Sequence, residues 1–312
     1  MAESGILPHD RGHLLWTADE GVSRLLLSSM DRWVTTILAD DCIDSPLFGM
    51  GEKTTATIIA KGDGLVAGTA MVDHLIQIWA PSISINWHAS DGKKVSIGDN
   101  IATISGDEES ILKMERSVLN ILGQLSGIAT ETKKWSSIAV KQIACTRKTT
   151  WGLLDKWAVH LGGGLTHRLN REDALMIKEN DLAAMDDASS DNNERIAKFI
   201  QEIDLEQLNS FLEIEVRTEK EAITAAAIWQ NTHGESGHKA VIMLDNFGPE
   251  KSKQVVSQLE DMGLRDAVYL EASGNITHEK LDQWFECGID VLSTSAINRG
   301  VKPLDMSMIF GD

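Results

Sequence analysis

The chain has no apolar run approaching the roughly 20 residues that span a bilayer. Its opening stretch, Met1 to Trp16, carries acids, histidines and a proline instead of the apolar core of a secretory signal. Neither a secreted nor a membrane-embedded protein is expected, and a cytoplasmic one is. Cysteine is scarce: Cys42, Cys145 and Cys287 are odd in number and share no C-x-x-C spacing. They read as reduced thiols, with no disulfide framework and no zinc site. Positive charge is also short. A net charge of −18 argues against non-specific binding to nucleic acid or to an anionic membrane. It also makes any local cluster of cations informative. What is present suffices for a core: 42% of residues are hydrophobic and 24% charged, as in soluble globular proteins. A length of 312 residues points to two domains.

In the first part of the chain, Thr17 to Asp40 has helical spacing (Val22, Leu25, Leu26, Trp33, Ile37, Leu38), and Asp41 to Gly51 reads as a loop. Thr54 to Ala60 and Gly64 to Met71 read as strands, punctuated by Gly62, Gly64 and Gly68. The phrase DGKKVSIGDNIATISG is similar to turns of biotinyl and lipoyl carriers. It lacks an exposed lysine at a hairpin tip between small or Met residues, so it is read as structural. Glu108 to Trp135 is a long helix, with Gly123 and Gly127 marking a break or a close backbone contact. An N-terminal α+β sandwich domain over 1–123 is expected.

From Val140 the rhythm becomes strand–helix alternation. Strands are expected at 140–145, 174–178, 212–216, 240–244, 267–271 and 289–292, with helices at 151–161, 192–203, 218–231, 249–262 and 278–286. Thr218 with Glu221, Pro249 and Thr277 sit where helices start. Such alternation implies a parallel sheet with helices outside. Six strands are too few for a closed barrel, so the C-terminal domain, 124–312, is expected to be an incomplete parallel β/α barrel of about six strands. Its last residues are candidates to pack back on the N-terminal domain.

The strands end in Arg147-Lys148, Lys178, Glu215, Asp245, Ser273-Gly274 and Ser293. In a parallel barrel those ends share one face, where chemistry takes place. Arg147, Lys148, His167, Arg168 and Lys178 suit carboxylates or phosphates. Glu215 and Asp245 could hold Mg²⁺ on a diphosphate, bond a sugar hydroxyl or stabilise a cationic transition state. The turn Ser273-Gly274-Asn275 and the loop after Ser293 offer backbone N–H groups to a phosphate. These residues fit glycosyl transfer from a phosphoribosyl diphosphate, and leave open an aldolase or isomerase of a sugar phosphate.

The segments ERSVLNILGQLSGIAT, TRKTT, GGG-x-x-HR, IKEN, EIEV, IMLDNF, EASGNIT and GIDVLSTSAI occur in this order from Glu115 to Ile297, within a resemblance that covers about Thr54 to Asn298. Together they resemble the quinolinate phosphoribosyltransferase family, also called carboxylating nicotinate-nucleotide pyrophosphorylases. The resemblance implies that quinolinate and phosphoribosyl diphosphate give nicotinate mononucleotide, CO₂ and diphosphate with Mg²⁺. It implies a homodimer in which each N-terminal domain covers the partner's site. By motif, Arg147, His167, Arg168 and Lys178 would bind the quinolinate carboxylates, and Arg116 would reach in from the other subunit. Lys148 would line the boundary between the quinolinate and diphosphate sites. Glu215 and Asp245 would face ribose and metal. Ser273, Gly274, Ser293, Thr294 and Ser295 would hold the 5′-phosphate. Related phosphoribosyltransferases of the molybdenum-transport type lack the lysine of the IK motif, so Lys178 favours quinolinate. An aldolase with Lys178 as Schiff-base nucleophile is a second alternative, and a catalytically silent nucleotide-binding regulator is a third, against which the presence of both Glu215 and Asp245 argues.

The sequence departs from the family pattern in places. Trp151 stands where a proline is usual, Glu179 and Asp181 flank Asn180, Asn275 replaces the second glycine of the S-G-G turn, and the glycine expected near Ser295 is absent. The last two are expected to loosen 5′-phosphate binding. Ile228 to Ala240 reads as an insertion whose His233 and His238 belong to a solvated loop.

Overall fold

A computed structural model of the chain describes residues 7–139, 142–185 and 191–311. The start of the first expected barrel strand, Val140-Lys141, lies outside them, as do residues 1–6. The chain separates into two compact units that interleave in sequence. One holds 11–137, 148–166 and 295–312, the other 1–10, 138–147 and 167–294.

The first unit begins with α1, Arg24–Asp40, which starts where the Ser23 hydroxyl accepts the Leu26 N–H. It buries Leu26, Met30, Val34 and Leu38 on one stripe. The residues before it, read as helix from Thr17, instead form a two-residue strand pair, Trp16–Thr17 with Gly21–Val22. Next come β1, Lys53–Ala60, and a two-residue strand, Gly64–Leu65. The expected strand over 64–71 ends there, because Thr69–Trp79 is a helix, α2. Its cap lies 22 residues away in sequence: the Asp91 carboxylate accepts the N–H groups of Gly68, Thr69 and Ala70 and the Thr69 hydroxyl. Gly68, at φ 106, makes the turn into it. A cap from so far along the chain leaves no local pattern.

Two further strands, β2 (Ser84–Trp87) and β3 (Asn100–Asp107), pair antiparallel, and β3 also pairs antiparallel with β1. The helix α3, Glu108–Ser136, is capped by Asp107, whose carboxylate accepts the Ser110 N–H. It is unbroken, and the expected division at 123–124 falls inside it. Gly123 and Gly127 mark close approach rather than a break. A Cβ on Gly127 would lie 2.4 Å from the Lys302 carbonyl oxygen. Also in this unit, α4 (Leu153–Leu161) follows the TRKTT loop.

The second unit is a sheet of six strands: β4 (Ile143–Cys145), β5 (Leu175–Ile177), β6 (Leu212–Val216), β7 (Ala240–Asp245), β8 (Val268–Ser273) and β9 (Val291–Thr294). Their order is β4-β9-β8-β7-β6-β5, with every neighbour parallel, so the barrel is open. The connecting helices are α5 (Glu179–Met185), α6 (Asn192–Glu202), α7 (Glu219–His233) and α8 (Gly248–Asp261). Thr218 and Glu221 form the capping box of α7, and Pro249 lies in the first turn of α8. The segment expected as a helix over 278–286 is a 3₁₀ helix, His278–Trp284, without a side-chain bond from Thr277. The last strand, β10 (Met306–Phe310), returns to the first unit and pairs antiparallel with β1.

Register fixes which side chains share the interior. Glu215 stands beside Met243 and Met243 beside Glu271, while Asp245, Ser273 and Ser293 form the next row. With side chains alternating along each strand, Glu213 and Glu215 point the same way, as do Glu271 and Ser273.

Asp91→Ala removes the remote cap of α2. It should cost about 2 kcal/mol in chemical denaturation, the scale of a lost cap with charge-assisted bonds. A loss below about 0.5 kcal/mol would show that α2 does not depend on Asp91.

Candidate active site

The C-terminal ends of β5, β6 and β7 carry a chain of opposed charges. Lys178, one residue past β5, sets its ammonium on the Glu215 carboxylate near the end of β6. Arg217, one residue past β6, pairs with Glu179, and its Nε lies 4.0 Å from Asp245 at the end of β7. Arg217 was not foreseen, although it obeys the rule that exposed Lys178, since both lie just beyond a strand. Asp181, which departs from the family pattern, accepts the Lys178 backbone N–H at 3.0 Å and so shapes the turn into α5.

Asp245 connects to the phosphate-type turn through Asn246, another residue the sequence reading did not single out. The Asn246 amide donates to Asp245 at 3.0 Å and its oxygen accepts from the Asn275 amide at 3.3 Å. Gly274 has φ 96, and a Cβ there would lie 2.1 Å from that oxygen. Asn275 has φ 54, a left-handed conformation that asparagine tolerates better than most residues. The departure from glycine therefore keeps the backbone form. Ser293 is buried, and its hydroxyl has no hydrogen-bond partner among the described residues, while Thr294 donates to the Ile276 carbonyl at 3.4 Å.

Arg168 lies deeper. Only 7% of it is exposed, and it donates to the Ala174 carbonyl at 3.2 Å. Burial pushes its pKa down and the Arg147 charge adds to this, while Glu213 opposes both. An arginine stays charged under such a shift. The structure therefore brings Arg147, exposed after β4, within electrostatic reach of Arg168.

His167 departs from expectation. Its side chain is 4% exposed, and Nε2 faces Glu213 at 3.3 Å and Glu271 at 3.2 Å inside the barrel. Its Nδ1 accepts the Arg168 N–H at 2.7 Å. With both ring nitrogens engaged, it is placed to support Arg168 rather than to be displayed to a ligand. Burial alone would push its pKa down. The two carboxylates outweigh that and push it up to about 10. The Arg168 N–H works against full protonation, but a dipole is weaker than two charges at this range. Either way, Nε2 carries a proton. Burial and the neighbouring carboxylate push Glu213 up, and the imidazole charge outweighs burial to hold Glu271 well below the usual range. Glu213 and Glu271 were missed because they lie on strand interiors, where only the register reveals a shared face.

In the other unit, Lys148 is exposed, and its carbonyl accepts from the Asn298 amide at 3.0 Å. Asn298 also donates to the buried Asp155, which accepts the N–H groups of Thr150 and Trp151. Trp151, in place of proline, can donate that N–H, and its ring stacks on Trp33 at 5.8 Å. Arg116 is exposed on α3 beside Glu115, and the Ser295 carbonyl accepts the Arg299 N–H. His233 lies in the last turn of α7 rather than in a solvated loop and bonds the Ile200 carbonyl of α6 through Nε2, while the His238 carbonyl accepts from Trp229.

Family models match most of the chain. The quinolinate phosphoribosyl transferase N-terminal domain matches residues 34–126 and the C-terminal domain residues 128–309. The chain belongs to the quinolinate phosphoribosyltransferase family. It is 33% identical over 276 residues to a protein of Methanothermobacter thermautotrophicus named a probable carboxylating nicotinate-nucleotide pyrophosphorylase, covering 86% of this chain and 92% of that one. It is 34% identical to the chloroplastic carboxylating nicotinate-nucleotide pyrophosphorylase of Arabidopsis thaliana, covering 82% and 74%. The nicotinate-nucleotide pyrophosphorylase structure from Francisella tularensis superposes with a TM-score of 0.76 at 30% identity, covering 91% of this chain and 96% of that one. Family membership and the open parallel barrel expected from the sequence therefore hold. The aldolase alternative loses its support, since the Lys178 amine is tied to Glu215 instead of lying free in an apolar pocket.

The buried His167 charge has a pH signature. Its folded pKa lies above the unfolded value, so its stabilising effect is complete below about pH 6.5 and fades as pH rises towards about 10. The stability gap between wild type and His167→Gln should narrow over that window in denaturant melts. A gap that widens with pH would contradict the assignment.

Proposed function

We infer that this chain catalyses phosphoribosyl transfer from phosphoribosyl diphosphate to quinolinate, with decarboxylation. The products are nicotinate mononucleotide, CO₂ and diphosphate, a step of de novo NAD biosynthesis. The observation that carries this reading is the mouth of the open barrel. There Arg168 with Arg147 and Lys178 with Glu215 stand in one unit with Asp245 and the Gly274 turn.

Quinolinate is a dicarboxylate, and Arg147, Arg168 and Lys178 offer it guanidinium and ammonium donors, the strongest partners for carboxylates. His167 supports Arg168 from below. Lys148, next in the chain to Arg147, would line the boundary between the quinolinate and diphosphate sites, and Arg116 would come from the partner subunit of a homodimer. The pyridine nitrogen attacks C1′ of the ribose as the bond from C1′ to diphosphate oxygen breaks, and positive charge develops on the sugar. Glu215 and Asp245 stabilise that charge. Carboxylate oxygens at the mouth also suit Mg²⁺, which would neutralise the departing diphosphate when bound there. Ser273, Gly274 and the run Ser293 to Ser295 hold the 5′-phosphate, with the left-handed Gly274-Asn275 pair opening the backbone N–H groups.

Once the ring nitrogen is quaternary, the carboxylate on the adjacent carbon leaves as CO₂. The electron pair remains on that carbon, stabilised by the pyridinium, and is then protonated. Transfer therefore precedes decarboxylation. Among the described residues no helix is long and apolar enough to cross a membrane.

Incubation with quinolinate, phosphoribosyl diphosphate and Mg²⁺ should yield nicotinate mononucleotide, and nicotinate as acceptor should yield none. Product from nicotinate alone would refute the acceptor assignment. Labelled CO₂ should appear only when phosphoribosyl diphosphate is present, and its release without that substrate would reverse the proposed order.

For the shared site, Arg116→Ala should abolish turnover while the chain stays folded. Mixing it with an Arg147→Ala chain should restore part of the activity. No recovery on mixing would count against subunits completing each other's sites.

A further inference from the structure

The N-terminal segment contributes a side chain to the support of the mouth. Leu7–Asp10, closed by a bond from the Asp10 N–H to the Leu7 carbonyl, precedes the residues that the family models match. His9 within it has no exposed surface. Its carbonyl accepts the His167 N–H at 2.9 Å. Its Nε2 lies 2.8 Å from Glu271, and its ring stands edge-on to His167 at 5.0 Å and 5.1 Å from Phe211. No local sequence pattern marks His9. The structure gives it three partners.

We propose that His9 is a positioning residue of the quinolinate subsite, acting through Glu271 and His167 on Arg168. His167 has φ 52, a left-handed conformation that a histidine keeps only where its surroundings hold it there. Two contacts with His9 do so. The His9 carbonyl fixes the His167 backbone, and the His9 ring fixes the Glu271 carboxylate that His167 also meets. Arg168 is the next residue, and its N–H ends on the His167 ring. Turning His167 therefore turns the base of Arg168.

A metal ion is the competing reading of the same cluster, since ligand atoms of His9, His167 and Glu271 all lie within 4.8 Å of one another. The His167 ring argues against it. Its Nε2 faces two carboxylates at 3.3 and 3.2 Å and bears a proton whether the ring is neutral or charged, so it has no lone pair for a metal. The cluster is a buried set of close imidazole–carboxylate pairs under the site.

This inference rests on Arg168 binding quinolinate, and the test separates the two ideas. Steady-state KM for each substrate, and quinolinate binding by calorimetry, are measured for wild type, His9→Phe and His9→Gln. Phenylalanine keeps the contact with Phe211 but cannot donate to Glu271, whereas the glutamine amide can. His9→Phe should raise the KM and Kd for quinolinate about tenfold, in the range of coupling through a neighbour, and leave the KM for phosphoribosyl diphosphate within about twofold. His9→Gln should recover most of the quinolinate affinity. If His9→Phe does not fold, His9→Leu replaces it in the same comparison. Unchanged quinolinate affinity, or equal loss for both substrates, would overturn the role of His9 alone. A wild type that neither binds nor turns over quinolinate would overturn the functional reading and this inference together.

Discussion

Concentrated positive charge in a strongly acidic protein needs counter-charge within reach, and the rest of the site depends on how that is arranged. Arg168 is almost wholly buried, which is costly for a cation unless it is compensated. Glu213 lies close enough to oppose the downward push on its pKa, and Glu213 and Glu271 together hold the His167 proton. At the rim the same pairing recurs between Lys178 and Glu215, and between Arg217 and Glu179. The mouth is thus preorganised by paired charges. An anionic substrate would find donors already aimed and would have only the rim pairs to loosen.

Much of this was legible in the sequence because it obeys short-range rules. The strand ends at Lys178, Glu215 and Asp245 could be read from apolar runs that stop on a charge. The capping box at Thr218 and Glu221 could be read from three-residue spacing. Features that depend on distant partners were hidden. Asp91 caps a helix from 22 residues away in sequence, so Thr69–Trp79 gave no start signal and its first turn was taken as strand. Glu213 and Glu271 are charged residues inside otherwise apolar strands, and only the register shows that they face one imidazole. His9 gives no local signal because its partners lie more than 150 positions away.

The departures from the family pattern also acquire physical reasons. Asn275 keeps the left-handed turn that glycine would supply. Trp151 donates its N–H to Asp155 and stacks on Trp33, which proline could not do. Asp181 does not simply add negative charge near an anion site. It closes the turn that presents Lys178, and it also opposes the downward push on the Arg168 pKa. In each case the replacement changes the side chain while keeping a backbone form or adding a contact.

The central claim is that the cations of the mouth converge on a ligand with two carboxylates. Calorimetric titration of quinolinate and of nicotinate, which has one carboxylate fewer, into the wild-type protein at low and high salt addresses it directly. Convergent donors predict at least about tenfold tighter binding of quinolinate, the scale of one added charge-assisted contact, with the advantage shrinking as salt rises. Equal affinity for the two ligands, or an advantage indifferent to salt, would contradict it.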